Sequence, residues 1–131
     1  MRYLLDTHIL IWWFERNSRL AVEQQRAINQ ASGNSPLLVS DISLWEIATL
    51  HSLGRLKFTL PLKQWLDTAT AAPLVETCRI TSDVAKRVSE LPDTFHRDPA
   101  DRILVSTASS LGATLVTADR RIIESKLVKT L

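Results

Sequence analysis

The sequence predicts an α/β domain in which helices flank a mostly parallel central sheet of four to five strands. Two observations support this fold class. Short apolar runs that suit buried strands alternate with capped segments that suit helices along the whole chain. The composition, 45% hydrophobic and 23% charged residues, is close to that of an ordinary folded domain. Because the 131 residues contain no internal repeat and no linker-like segment, we expect one domain over residues 1–131.

In the first half of the chain, two strands are expected at residues 3–5 and 37–39, where short apolar runs lead into polar residues. Helices are expected at residues 9–14, 19–31, 44–52 and 62–70. Ser18 is a candidate N-cap for the second of these helices. The loop-forming segment at residues 32–36, Ser-Gly-Asn-Ser-Pro, separates that helix from the second strand.

In the second half of the chain, strands are expected at residues 74–80 and 114–117, with a short last strand at residues 127–130. A polar loop covers residues 92–97. The expected helices run from residue 82 or 83 to residue 91, from Pro99 to near Gly112, and over a short stretch after Asp119. Strands that alternate with helices in this way favour parallel pairing.

Composition also excludes several classes of protein. The single cysteine, Cys78, excludes an internal disulfide framework and a thiolate zinc cage built from one chain. No apolar run approaches the roughly 18–20 residues of a membrane span, and no signal peptide is evident, so we expect a cytoplasmic protein. The net charge of +2 is compatible with a nucleic-acid ligand but does not require one.

Acidic residues recur where the predicted strands end. Asp6 directly follows the first strand, Glu46 lies in the first turn of the helix after the second, and Asp119 follows the fourth. Asp98 and Asp101 begin the helix after the polar loop. Ligands of open α/β sheets bind beyond the carboxyl ends of the strands. Carboxylates gathered there would repel one another without a cation, and oxygen ligands favour Mg²⁺ or Mn²⁺ over zinc.

Each carboxylate taken alone also suits a helix cap. Ser43 and Glu46 have the spacing of a capping box, Asp98 precedes a proline at a helix start, and Asp119 precedes the last helix. Asp6 is harder to explain as a cap, because a carboxylate that ends a buried strand is costly without a partner. The recurrence at strand ends is better explained by one shared site.

Four segments carry a family resemblance: YLLDTH at residues 3–8, VSDISLWEI at 39–47, HRDPADR at 96–102 and LVTAD at 115–119. They resemble the four signatures of PIN domains, and more narrowly those of VapC-type ribonuclease toxins of prokaryotic toxin–antitoxin systems. The resemblance covers nearly the whole chain, in order and at the expected spacing. It implies a PIN-like fold, an endoribonuclease dependent on Mg²⁺ or Mn²⁺, a homodimer, and a VapB-like antitoxin whose segment occupies the acidic groove.

Carried over by position, the acidic quartet is Asp6, Glu46, Asp101 and Asp119. Asp101 is preferred as the third member, with Asp98 as an additional or alternative ligand. Asp6 and Asp101 are then the primary metal ligands, and Asp119 completes the cage directly or through water. Glu46 holds metal-bound water or acts as the general base in hydrolysis of the RNA phosphodiester. Neither the number of metal ions nor the RNA that is cut follows from the sequence.

Other functions remain open at this stage. A PIN-type nuclease of general RNA processing, or one acting on structured DNA, would carry the same quartet. A non-catalytic binding module would be expected to lose ligands, and a phosphoryl-accepting signalling domain would be expected to have a lysine after a late strand. His8 and His96 admit a metal-free ribonuclease with a histidine acid–base pair.

Arginines and tryptophans near these segments give further expectations. Arg97 and Arg102 either position a substrate phosphate or pair with Asp98 and Asp101. Basic residues after Asp119 form either an RNA-binding edge or a solvated face. Four tryptophans complete this set of expectations: Trp12 and Trp13 contribute to an apolar surface for a partner, Trp45 belongs to the core, and Trp65 packs internally or against a partner.

Overall fold

Four parallel strands form the centre of the computed structural model, which describes residues 2–131. The strands are β1 (Tyr3–Leu5), β2 (Leu37–Ser40), β3 (Val75–Cys78) and β4 (Thr114–Val116). Their order in the sheet is β3-β2-β1-β4. Leu4 of β1 lies in register with Leu38 on one side and Leu115 on the other. The prediction of an α/β fold with a parallel sheet is confirmed.

In the described part of the chain, seven helices surround the sheet. They are α1 (Thr7–Phe14), α2 (Val22–Asn29), α3 (Asp41–Ser52), α4 (Leu62–Ala69), α5 (Ser82–Ser89), α6 (Pro99–Leu111) and α7 (Arg120–Ser125). Over residues 2–131, none of these helices has the length and apolar character needed to cross a lipid bilayer.

The hydrophobic core lies on both faces of the sheet, because successive side chains of a strand point to opposite faces. Leu5 and Val39 belong to the cluster that includes Trp65 of α4. Leu4 belongs to the other cluster, with Leu104 of α6. Two covered faces explain why the predicted strands are continuous apolar runs rather than alternating ones.

The prediction of a last strand at residues 127–130 is wrong. Residues 127 and 128 form a bend after Lys126, which takes a left-handed conformation with φ 56°. The segment therefore reaches the sheet edge only near its end, where Thr130 forms an isolated parallel bridge with Leu115. The sheet keeps four strands.

Several predicted boundaries are also wrong. The second helix begins at Val22 rather than at residue 19, and the Gln24 side chain, not Ser18, caps it by accepting the Ala21 N–H at 3.2 Å. The first helix begins two residues earlier than expected, at Thr7. The third strand is shorter than predicted, because Leu74 and Ile80 are exposed beyond its ends.

Candidate functional site

A cleft of about 310 Å³ lies at the carboxyl ends of β1 and β4. All five carboxylates singled out in the sequence line it: Asp6, Glu46, Asp98, Asp101 and Asp119. His8, Trp12, Ala118 and Arg121 complete the lining. We call this the acidic cleft. The parallel topology brings the strand ends together as predicted, so residues from four separate segments of the chain share one cavity.

Asp6 is buried, with 6% of its surface exposed. It caps α1 by accepting the His8 N–H at 3.2 Å, and the Thr117 hydroxyl donates to its other carboxylate oxygen at 2.6 Å. Burial raises the pKa of Asp6 despite these hydrogen bonds, and the charge of Asp119 acts in the same direction. A buried carboxylate held in one orientation is ready to bind a cation.

Thr117 is a residue of the site that the sequence analysis missed. It is almost fully buried just after β4, donates to Asp6 and accepts the Asp119 N–H at 3.0 Å. It thereby joins the first and last members of the predicted quartet. The available signal was a polar residue directly after a buried strand, next to an aspartate.

Glu46 is not part of a capping box. Ser40 caps α3 by accepting the Ile42 N–H at 3.1 Å, so the helix begins at Asp41, three residues earlier than predicted. Glu46 then falls in the second turn, and Ser43 instead accepts a hydrogen bond from the Thr7 hydroxyl at 2.9 Å. Burial raises the pKa of Glu46, and so do the charges of Asp6 and Asp98.

Asp98 and Asp101 lie one above the other at the start of α6. Asp98 is the exposed N-cap, accepting the Asp101 N–H at 2.9 Å, as the sequence predicted for the Asp-Pro pair. Asp101 is buried, and its Oδ2 lies 2.7 Å from Nε2 of His96. Burial, together with the charges of the surrounding carboxylates, raises the pKa of Asp101 to about 6 although His96 opposes the shift. Of the two, Asp101 lies deeper in the acidic cleft.

Asp119 caps α7 by accepting the Arg121 N–H at 2.8 Å. The Arg121 guanidinium also lies 3.4 Å from Asp119 and 3.9 Å from Asp101. Partial burial alone would raise the pKa of Asp119, but the hydrogen bonds from Arg121 outweigh it and the pKa is lowered. Arg121 is therefore a cation within the acidic cleft, whereas the sequence indicated only a basic segment.

The donor groups fit a divalent cation. His96, Asp101 and Asp119 each offer one ligand atom, and these atoms lie within 4.8 Å of one another. Asp6 and Glu46 face the same cleft with raised pKa values, chiefly because burial disfavours the charged carboxylate and to a lesser extent because other carboxylates lie nearby. A cation would offset the cost of that charge. One of these three candidate donors is an imidazole nitrogen, which already lies 2.7 Å from Asp101; the others are carboxylate oxygens, the ligand type expected from the sequence.

Arg102 does not pair with Asp98 or Asp101. Only 8% of its surface is exposed, and its guanidinium donates to the carbonyl oxygens of Phe95 and His96, both at 3.1 Å. It therefore fixes the loop before α6. Arg97 is exposed and lies 3.9 Å from Asp93, so it pairs with neither expected aspartate.

The prediction that Trp45 belongs to the core is wrong, since 57% of its surface is exposed. The buried side chains of α3 are Ser43 and Ile47, and Trp45 lies about 200° around the helix from Ser43. Trp12 lines the acidic cleft. Trp65 is 1% exposed, so it packs internally rather than against a partner, which was one of the two alternatives that the sequence left open.

Comparisons with known proteins agree with this fold. The PIN domain model matches residues 3–126. The chain is 39% identical over 119 residues to Ribonuclease VapC22 of Mycobacterium tuberculosis, covering 91% of this chain and 88% of that protein.

Two solved structures extend the comparison. The crystal structure of VapBC2 from Rickettsia felis bound to a DNA fragment from their promoter matches with a TM-score of 0.73 and 18% identity, over 100% of this chain and 98% of that chain. DNA-bound VapBC from Salmonella typhimurium matches with a TM-score of 0.70 and 16% identity, over 100% and 97%. These two matches show the fold alone. Together with the family model and the ribonuclease relative, they establish that the chain belongs to the PIN domain family.

Proposed function

We propose that this chain is a metal-dependent endoribonuclease, the toxin of a type II toxin–antitoxin pair, acting in the cytoplasm as one nuclease domain over residues 1–131. The observation that carries the proposal is the convergence of Asp6, Glu46, Asp101 and Asp119 in the acidic cleft. The identity of 39% to a ribonuclease supports RNA as the substrate.

In this proposal, Asp6 and Asp101 are the main ligands of Mg²⁺ or Mn²⁺, and Asp119 completes the set. Asp98, exposed at the rim, is an additional ligand. Carboxylates suit both metals, and a bound divalent cation supplies positive charge that stabilises the phosphate and favours ionisation of water. Thr117 and the His8 N–H hold Asp6 in one orientation.

Glu46 is the proposed general base. It lies on a regular helix, makes no cap, and its pKa is raised by burial and by neighbouring carboxylates. A raised pKa makes a carboxylate a better proton acceptor near neutral pH. Glu46 therefore accepts the proton of the attacking water, while a cation bound beside Asp6 and Asp101 would favour the charged form of these two buried aspartates.

The proposed partners are a VapB-like antitoxin and a second copy of this chain in a homodimer. The matched solved structures are VapBC complexes, which supports the antitoxin. Arg121 illustrates the chemistry that an antitoxin could use, since its guanidinium approaches both Asp119 and Asp101. An arginine or lysine from the antitoxin would compete with metal for the same carboxylates.

The test compares the wild-type chain, freed of antitoxin, with Asp6→Asn on total cellular RNA in Mg²⁺, Mn²⁺ or EDTA. Asp67→Asn is the matched control, because Asp67 is an exposed carboxylate on α4. We expect discrete metal-dependent cuts that leave 5′-phosphates in the wild type and control, and a loss of at least about 100-fold in Asp6→Asn.

Two outcomes would contradict the proposal. If Asp6→Asn cuts RNA as fast as the wild type, the acidic cleft is not the catalytic site. If cutting persists in EDTA and leaves cyclic phosphates, the reaction is metal-free and His8 and His96 are its acid–base pair. Growth arrest on expression, relieved by a co-expressed antitoxin, separates a toxin from a nuclease of general RNA processing.

A further inference from the structure

A second cavity of about 380 Å³ lies beside the acidic cleft, between the loop at residues 92–96 and helix α7. We call it the side cavity. Its volume falls within the roughly 300–1,000 Å³ of small-molecule sites. Its lining includes Thr94, Phe95, His96, Arg121, Glu124 and Leu127. It therefore combines apolar walls with a carboxylate, a guanidinium and a hydroxyl.

The side cavity and the acidic cleft share a wall. Arg121 lines both of them. His96 lines the side cavity, and its Nε2 lies 2.7 Å from Asp101, which lines the acidic cleft. A nucleotide with its phosphate in the acidic cleft is thus one side chain away from the side cavity. The exposed Arg121 guanidinium can contact that phosphate.

One wall of the side cavity is fixed before any ligand arrives. Arg102, itself buried, donates to the carbonyl oxygens of Phe95 and His96, and the Phe95 side chain is buried in the core. The opposite wall is α7, anchored by the fully buried Ile122. A preformed cavity loses less entropy when it binds a ligand than a mobile loop does.

Glu124 determines which base suits this cavity. Within residues 2–131, its carboxylate accepts a hydrogen bond only from Arg120, at 3.1 Å. Both side chains are mostly exposed, so the pair is easily exchanged for another partner. A carboxylate accepts two parallel N–H groups. Among the four RNA bases, only guanine presents two adjacent donors, N1–H and N2–H, on its Watson–Crick edge.

We propose that the side cavity binds a guanine base next to the scissile phosphate, with Glu124 accepting its N1–H and N2–H. This inference rests on the proposed ribonuclease function and makes the enzyme guanine-selective at one position beside the cut. Thr94 and Leu127 border the same cavity, and Arg121 holds the phosphate that joins the base to the acidic cleft.

The first test is binding, which does not depend on cleavage. Wild type, Glu124→Gln and Asp67→Asn are titrated with 5′-GMP, 5′-AMP, 5′-CMP and 5′-UMP in Mg²⁺, followed by amide chemical shifts. Asp67→Asn is a matched control, because Asp67 also pairs with a basic residue four positions away, on the other face of the sheet. Glu124→Gln places an amide N–H against a guanine donor. We expect it to lose about 5- to 100-fold in GMP selectivity.

The second test sequences the ends of fragments cut from a randomised single-stranded RNA. We expect guanine enrichment at one position beside the cut for wild type and Asp67→Asn, and loss of that enrichment in Glu124→Gln. Metal-dependent cutting with unchanged enrichment in Glu124→Gln overturns this inference alone. GMP selectivity without any cutting supports the side cavity and overturns the ribonuclease proposal. If Glu124→Gln weakens antitoxin binding but not GMP binding, the side cavity is a contact for the antitoxin, and the inference is overturned.

Discussion

Three carboxylates of the acidic cleft each cap a helix as well. Asp6, Asp98 and Asp119 accept N–H groups at the starts of α1, α6 and α7. A cap uses one oxygen of the carboxylate and orients the other, while the positive end of the helix favours the charged form. At these residues, capping is therefore compatible with the proposed cation binding, although the sequence presented the two as alternatives.

Thr117→Val tests the link between Asp6 and Asp119. The side chain keeps its shape but loses the 2.6 Å hydrogen bond to Asp6 and the acceptor of the Asp119 N–H. We expect metal affinity to fall about 10- to 100-fold, the usual effect of removing a group that orients a ligand. Isothermal titration with Mn²⁺ measures it. Thr107→Val is the control, because that buried hydroxyl donates to the Ile103 carbonyl of its own helix, away from the acidic residues; equal affinities in both variants would contradict the link.

Arg121→Gln tests whether this arginine competes with the metal. Its guanidinium stabilises the charge of Asp119 and lies near Asp101. Its removal should therefore raise Mn²⁺ affinity several-fold, while the KM for RNA rises because a phosphate contact is lost. Arg87→Gln, which breaks an exposed pair with Asp83, should change neither. Metal affinity that falls in Arg121→Gln would show that the arginine supports the site instead.

The sequence predicted the carboxylates of the acidic cleft but not the groups that orient them. A carboxylate that follows an apolar run can be recognised locally, as at Asp6. Its partner Thr117 lies 111 residues away, and their contact depends on the pairing of β1 with β4. The contacts of Arg121 likewise depend on where α7 is placed. Positions of single residues were thus predictable, whereas hydrogen bonds across the sheet were not.

At the scale of elements, the starts of the four observed strands were predicted to within one residue, whereas three helix starts were wrong by two or three residues. Helix α3 illustrates the reason, because Ser40 and Ser43 are both good N-caps and only the packing chooses between them. The choice of Ser40 moves the start of α3 by one turn. As a result, Glu46 is not part of a capping box, and the Ser43 hydroxyl accepts a hydrogen bond from the Thr7 hydroxyl. Competing local signals of similar strength are decided by tertiary contacts.

Two tryptophans test the packing of the helices. Trp65 of α4 is stacked on Phe58 with ring centroids 4.3 Å apart and is almost fully buried, whereas Trp45 of α3 is mostly exposed. Trp65→Ala should lower the free energy of unfolding by about 3–5 kcal/mol, and Trp45→Ala by about 0.5 kcal/mol or less. Urea unfolding measures both. A larger loss in Trp45→Ala would mean that its exposed face is packed in the isolated protein.

At the scale of the whole molecule, the parallel sheet concentrates negative charge at one edge. Two apolar layers stabilise the sheet from its two faces, and the buried strands end in side chains that cannot all be charged without cost. These carboxylates therefore lower the free energy of unfolding most at a pH at which all of them are charged. That charged state is also the one that binds a cation best. Stability and metal binding must depend on pH together.

The metal-free protein should lose stability as the pH rises from about 5 to about 7.5, since raised carboxylate pKa values mean that the folded state binds more protons than the unfolded one. The stabilisation from Asp6, Glu46 and Asp101 is complete below their unfolded pKa and is lost as the pH passes the folded values, about 6 for Asp101. Asp119, whose pKa is lowered, is ionised in both states across this range.

We expect this fall to appear in thermal unfolding as a decrease in Tm of roughly 3–6 °C, the effect of about 1 kcal/mol in a domain of this size. Saturating Mg²⁺ should cancel it, because the cation binds the ionised carboxylates of the folded state and stabilises that state more at the higher pH. Asp6→Asn serves as the comparison: with one charge removed, its Tm should depend less on pH and respond less to Mg²⁺. A Tm that rises with pH in the metal-free wild type would mean that burial and neighbouring charges do not make these carboxylates costly to ionise in the folded protein, and the main physical argument for a cation in the acidic cleft would fail.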